Sequence, residues 1–89
     1  MQSQMNDIAI RKKRALYRAT HRGTKELDIL IGRFAESALA AMSEAELTNF
    51  EEFLALPDPE IDQWMRGSAA PDGVADMVSR VRAFHGLAQ

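Results

Sequence analysis

His21-Arg22-Gly23-Thr24-Lys25-Glu26-Leu27-Asp28-Ile29-Leu30-Ile31-Gly32-Arg33-Phe34 is the stretch on which the reading of this chain turns. From Leu27 onward, Leu27, Leu30, Ile31, Phe34, Ala38 and Ala41 recur every three or four residues, the spacing of a buried helical stripe. Gly32 within that span costs about 1 kcal/mol relative to alanine, which points to close packing or to a partner's approach. Upstream, Gly23 is free to take a left-handed conformation and stop a preceding helix. Glu26 stands three residues later, where a carboxylate reaches back to an N-cap amide. The segment therefore reads first as a boundary between two helices. On the outer line of the second helix, Glu26, Ile29 and Arg33 align, joined by Arg22 if the helical phase runs backwards. An isoleucine on that line is a first sign of a contact surface.

Working outward, residues from about Met5 to Thr20 read as a first helix. Met5, Ile8, Ala9, Leu16 and Ala19 share one broad face, which Lys12 interrupts, and Tyr17 points elsewhere. Downstream, Ser43 and Glu46 form a capping box that opens a third helix, with Leu47, Phe50 and Leu54 inward and Phe53 flanking. Met42 falls at a helix edge. Pro57 ends the third helix, because the residue before a proline is steered away from helical angles. Asp58 then reads as an N-cap with Pro59 at the first helical position, starting a fourth helix with Ile61, Trp64 and Met65 inside and Gly67 as C-terminal cap. Asp72 caps a fifth helix that buries Val74, Met77, Val78, Val81 and Phe84. No strand-like alternation of useful length occurs. The expected fold is all-α: one domain over residues 1–89, ordered over about 8–86, built as a compact bundle of five short antiparallel helices. Its core is expected to hold Leu27, Leu30, Ile31, Phe34, Leu47, Phe50, Leu54, Ile61, Trp64, Val78 and Val81.

The composition narrows the chemistry. With no cysteine, disulfides, thiolate metal sites and a thiol nucleophile are excluded. No apolar run approaches the ~20 residues that span a bilayer. The N-terminus lacks the apolar core of a secretory signal, and its basic residues run straight into the motif, so they read as part of the domain. A cytoplasmic location is expected. Net charge is −2, but seven of the eleven basic residues lie between Asp7 and Glu26 with no acid among them, whereas Glu26 to Asp62 holds ten acids and one base. One positive end and one negative surface are expected.

His21 and His85 lie far apart without carboxylates at ligand spacing, no serine has a nucleophile context, and the carboxylates sit as caps and solvated faces. No catalytic residue and no metal site are expected. The run Arg11-Lys12-Lys13-Arg14-Ala15-Leu16-Tyr17-Arg18 resembles a phosphate-binding segment with an aromatic for base stacking. The pI near 5.6 weighs against a nucleic-acid module, which is usually strongly basic.

The blocks Leu16-Tyr17, His21 to Glu36, and Leu56-Pro57-Asp58-Pro59-Glu60-Ile61 with Trp64 and Gly67, in this order and spacing, resemble the small succinate dehydrogenase assembly (flavinylation) factors, whose hallmark is Arg-Gly-x-x-Glu. Thr24 departs from the methionine or other apolar residue that many members carry there, and Arg33 and Ala35 replace bulkier groups. The resemblance implies a monomeric cytoplasmic assembly factor, without an active site of its own, that binds the flavoprotein subunit of succinate dehydrogenase, with that of fumarate reductase as a second target. It promotes attachment of FAD to the partner and holds no cofactor stably itself. Arg22, Gly23 and Glu26 become the partner-binding motif, with Tyr17, His21, Lys25 and Ile29 at its rim. Arg22 would fork onto partner oxygens, and Gly23 would let the partner's backbone come close. On this reading Glu26→Gln and Arg22→Lys keep the fold and lose the partner. The alternatives are a small regulatory binding module, such as an antitoxin, and, more remotely, a nucleic-acid-binding helical domain.

Overall fold

The computed structural model describes the backbone of residues 4–87 and the side chains of residues 7–87. Five α-helices follow one another: α1 (Gln4–Thr20), α2 (Lys25–Ala38), α3 (Glu44–Leu54), α4 (Asp58–Met65) and α5 (Asp72–Phe84), with a 3-10 turn over Leu39–Ala41 after α2. No strand occurs among the described residues. α1 packs mainly on α2 and also on α3, while α5 closes against α2, α3 and α4.

The α1–α2 contact is close because its residues are small. Ala15 and Ala19 are buried on α1, and Gly32 is buried opposite them on α2. A Cβ built at Gly32 would stand 2.9 Å from Thr20 Cγ2 and 3.5 Å from the Ala19 carbonyl oxygen, so this glycine serves helix packing within the chain. Of the expected α1 face, Ala19 is buried, Ile8 and Leu16 are half-buried, Ala9 is exposed, and the Met5 side chain lies outside the described residues.

The stripe on α2 buries Leu27, Ile31 and Phe34, with Leu30 packed against the core at its edge. It does not extend to Ala41, which is exposed, because the helix tightens into the 3-10 turn and rotates Leu39 and Met42 inward instead. The Ser43–Glu46 capping box is complete: the Glu46 N–H donates to Ser43 Oγ at 3.1 Å and the Ser43 N–H to Glu46 Oε1 at 2.8 Å. α3 buries Leu47, Phe50 and Leu54 as expected, and Phe53 as well. A helix flanked on two sides, here by α1 and α5, hides a wider arc than a single stripe. Phe84, expected inside, is 45% exposed at the end of α5, where its ring makes T-shaped contacts with Phe34 and His85.

Helix ends depart from expectation by one residue. Pro57 and Pro71 occupy the N-cap positions of α4 and α5, and Asp58 and Asp72 are the first helical residues, with no side-chain cap at either. Gly67 closes α4 at φ +112°, the Ser68 N–H reaching the Gln63 carbonyl and the Gly67 N–H that of Trp64, both at 3.0 Å. Gly86, not read as a cap from the sequence, ends α5 the same way, with Leu87 N–H on the Arg82 carbonyl at 2.9 Å.

Candidate functional site

The Arg22–Glu26 segment spans the α1–α2 junction, and the chain puts its three motif residues to different uses. Arg22 turns inward, its side chain only 9% exposed. Nε and Nη2 donate to Asp58 Oδ1 at 3.0 and 2.6 Å, Nη1 to the Leu54 carbonyl at 2.7 Å, and Nη2 also to the Leu56 carbonyl at 3.2 Å. Leu54 is the last residue of α3, a helix with no basic residue in its own final turn. Arg22 thus supplies from outside the cation and the donors that the end of a helix lacks.

Gly23 has no left-handed conformation, contrary to the sequence expectation. Its N–H donates to Asp58 Oδ2 at 2.6 Å, and a Cβ at this position would lie 2.5 Å from that same oxygen. A side chain here would have to push the Asp58 carboxylate off the Gly23 amide, and α1 ends at Thr20 without needing a left-handed residue. Each Asp58 oxygen is therefore engaged, one by the guanidinium and the other by a backbone amide. Asp58 was expected to cap its own helix and instead ties the α3–α4 link to the α1–α2 junction. The sequence reading missed this partner of Arg22, although Asp58 sits inside one of the blocks that carry the family resemblance.

Glu26 does not cap. Thr24 is the N-cap of α2, its Oγ1 accepting from the Leu27 N–H at 3.2 Å. The reach-back to the preceding chain comes from Asp28, which accepts the Arg22 N–H. Placed at the second helical position, Glu26 has no amide to close on, and its side chain is 67% exposed, 4.0 Å from Arg66. Glu26, Thr24, Leu27, Asp58, Pro59, Asp62 and Arg66 line an open hollow of about 220 Å³.

Of the expected rim, Tyr17, His21, Lys25 and Ile29 are all exposed. Tyr17 and His21 stack with ring centroids 3.9 Å apart, and His21 Nδ1 donates to the Tyr17 carbonyl at 2.8 Å. Ile29 is 42% exposed and Tyr17 63%. Arg22 belongs to the supporting floor of this surface, while Glu26, Lys25 and Ile29 lie on its open side.

Burial pushes the Asp58 carboxyl up, but the hydrogen bond from Arg22, the Gly23 amide and the Arg22 charge together outweigh it and hold the group below its ordinary value. A carboxylate with a depressed folded pKa contributes stability above its unfolded pKa, about 3.9 for an aspartate, and loses it as pH falls through the folded value. Asp58→Asn is therefore expected to lower the denaturation midpoint near pH 7 and to flatten its fall below about pH 4. Parallel pH titrations of the two midpoints check this.

No group of three or more His, Cys, Asp or Glu placed to hold a metal occurs among the described residues. No described helix is long and apolar enough to cross a membrane.

Residues 13–85 match the protein family described as flavinator of succinate dehydrogenase. The chain is 47% identical over 62 residues to the "FAD assembly factor SdhE" of Acetobacter pasteurianus, covering 70% of this chain and 57% of that protein. It is 32% identical over 63 residues to the mitochondrial "Succinate dehydrogenase assembly factor 2" of Dictyostelium discoideum, covering 71% and 45% respectively. A second FAD assembly factor SdhE, from Coxiella burnetii, is 37% identical over 51 residues, which are 57% of this chain and 62% of the relative. The chain thus spans about half the length of the curated relatives it matches. With 73 matched residues running from α1 through the end of α5, the chain belongs to the family of flavinators of succinate dehydrogenase.

Proposed function

We propose that this chain binds the flavoprotein subunit of succinate dehydrogenase and promotes the covalent attachment of its FAD, acting as an assembly factor and not as the catalyst of bond formation. Membership of the flavinator family and the assembly-factor names of its relatives support this reading over a regulatory module or a nucleic-acid binder. The observation that carries the placement of the site is the division of labour in the motif. Arg22 and Gly23 lock the α1–α2 junction onto Asp58, and Glu26, relieved of capping, stands exposed on that rigid platform. Backbone that is already tied down has less freedom to lose when a partner arrives. Glu26 takes the role of acceptor for a cationic or N–H group of the flavoprotein, with Lys25, Ile29, Tyr17 and His21 around it. The flavoprotein of fumarate reductase is proposed as a second partner, a monomer as the binding form and the cytoplasm as the place of action. The FAD stays with the flavoprotein throughout.

Glu26→Gln tests this directly. Because the side chain closes no cap and its nearest cation is 4.0 Å away on an equally exposed arginine, glutamine should unfold within a few tenths of a kcal/mol of wild type. In a strain lacking the native gene, the variant should restore about a tenth or less of the covalent flavin, read as in-gel fluorescence of the denatured flavoprotein subunit. Full flavinylation by the glutamine variant would remove Glu26 from the site.

A further inference from the structure

We propose that the outward face of α1, Ile10–Arg14–Tyr17–Arg18–His21, is a second docking strip that takes an acidic surface of the flavoprotein. This rests on the partner reading above and extends the site from the motif along the whole helix.

The cations of α1 divide into two sets. Arg11 is committed inward: Nε and Nη2 donate to Glu51 at 3.1 and 2.7 Å, and its other contacts are Glu44 at 3.4 Å and Thr48 at 3.1 Å. Lys12 Nζ donates to the Ala40 carbonyl at 3.0 Å. Lys13, Arg14 and Arg18 point outward and form no ion pair among the described residues. Arg18 lies near enough to Glu51 to help hold that carboxyl down, behind the larger effect of the Arg11 hydrogen bond, yet makes no bond to it. Elsewhere, Arg66 and Arg80 each pair with an acid of the chain, while Lys25 and Arg33 on α2 are exposed and form no ion pair among the described residues. On α1, Lys13, Arg14 and Arg18 cluster around one outward face, with Asp7 and Glu44 beside Ile10 and Arg14 and with Glu51 near Arg18.

That face also carries apolar surface. Positions 10, 14, 17 and 21 follow the alternating four-and-three spacing of one helical line, with Arg18 beside it, and the line runs opposite buried Ala15 and Ala19. Ile10 is 46% and Tyr17 63% exposed. At about 1.5 Å per residue the strip is about 16 Å long, and at His21 it meets Arg22 and the motif. Two apolar contacts set among unpaired cations fit a protein surface of carboxylates around an apolar spot. A nucleic acid fits less well. Glu44 and Glu51 border the same helix through Arg11, and one face of the Tyr17 ring is already covered by His21.

The test is the double variant Arg14→Glu with Arg18→Glu, titrated with the purified flavoprotein subunit of succinate dehydrogenase. Binding should weaken about tenfold or more at low salt, chiefly through slower association. Raising salt from about 50 to about 300 mM should weaken the wild type more than the variant, since screening removes an attraction the variant no longer has. A thermal melt checks that the reversed variant is folded. If it is not, Arg14→Gln with Arg18→Gln should show a smaller loss in the same direction. Equal affinity of wild type and charge variant at both salt concentrations would overturn the strip and leave the flavoprotein reading standing. Failure of the wild type to bind the flavoprotein would overturn both. Wild-type binding to anionic vesicles or a single-stranded oligonucleotide at physiological salt, as tight as to the flavoprotein and abolished by the reversal, would reassign the face to phosphates.

Discussion

Arg22→Ala is expected to lower the unfolding free energy by about 3 kcal/mol, read from chemical denaturation. The substitution strips the donors from Asp58 Oδ1 and from the Leu54 and Leu56 carbonyls at once. Each buried acceptor left unpaired costs about 1–3 kcal/mol, and water reaching the quarter-exposed Asp58 keeps the total toward the lower end. Lysine in this place offers one ammonium where the guanidinium spans three acceptors, so Arg22→Lys should lose about 1–2 kcal/mol. This revises the expectation drawn from the sequence, in which lysine kept the fold intact. On the proposed function, any loss of flavinylation in either variant would follow at least partly from the fold, so Glu26→Gln and not Arg22→Lys separates docking from stability. An alanine variant within about 1 kcal/mol of wild type would show that the internal clamp is dispensable.

Phe34→Ala should destabilise by about 3–5 kcal/mol. Phe34 is 3% exposed, and its ring meets Phe50 and Phe84, each with centroids 5.8 Å away, while the Arg80 guanidinium lies 5.7 Å above it. Truncation removes one side of both ring pairs and the cation's seat, and opens a void where α2, α3 and α5 converge. The surrounding side chains are themselves ring systems and collapse poorly into the gap. Urea denaturation of the alanine variant measures the loss. A change within the range of surface substitutions would show that this side chain does not close the core.

What was legible in the chain followed from local rules. The spacing of Leu27, Ile31 and Phe34, the Ser43–Glu46 box and the cap at Gly67 depend on neighbours within a turn or two, and the structure shows each of them, while α3 stops at Leu54, before the expected end at Pro57. The misplacements share a different cause. Phe53 and Phe84 exchange their expected positions because burial depends on how many helices flank a given arc, which periodicity in one helix does not encode. Glu26 and Asp58 were both assigned capping duties that their positions in sequence allowed. Thr24 and Asp28 took the first; the second went unfilled, because a guanidinium arriving from a distant junction engages the Asp58 carboxylate and α4 starts with no side-chain cap. For the candidate site, the residue set was visible as a motif, but the division into an inward arginine and an outward glutamate was not, since both face a junction whose other half lies 36 residues away.

The contact between Gly23 and Asp58 makes the family signature a two-part lock. Arg-Gly-x-x-Glu looks like a local word, yet in this chain its first two letters both meet a carboxylate that closes on them from the start of α4. A chain without an acid at position 58 would have less reason to disfavour a side chain at position 23, and its arginine would keep only the Leu54 and Leu56 carbonyls. The two sites are therefore coupled: alanine at the glycine should cost more with the aspartate in place, whose carboxylate it must displace, than with that aspartate lost. A sequence screened for the short word alone is tested for half the device, and the spacing to an aspartate just past the third helix supplies the other half.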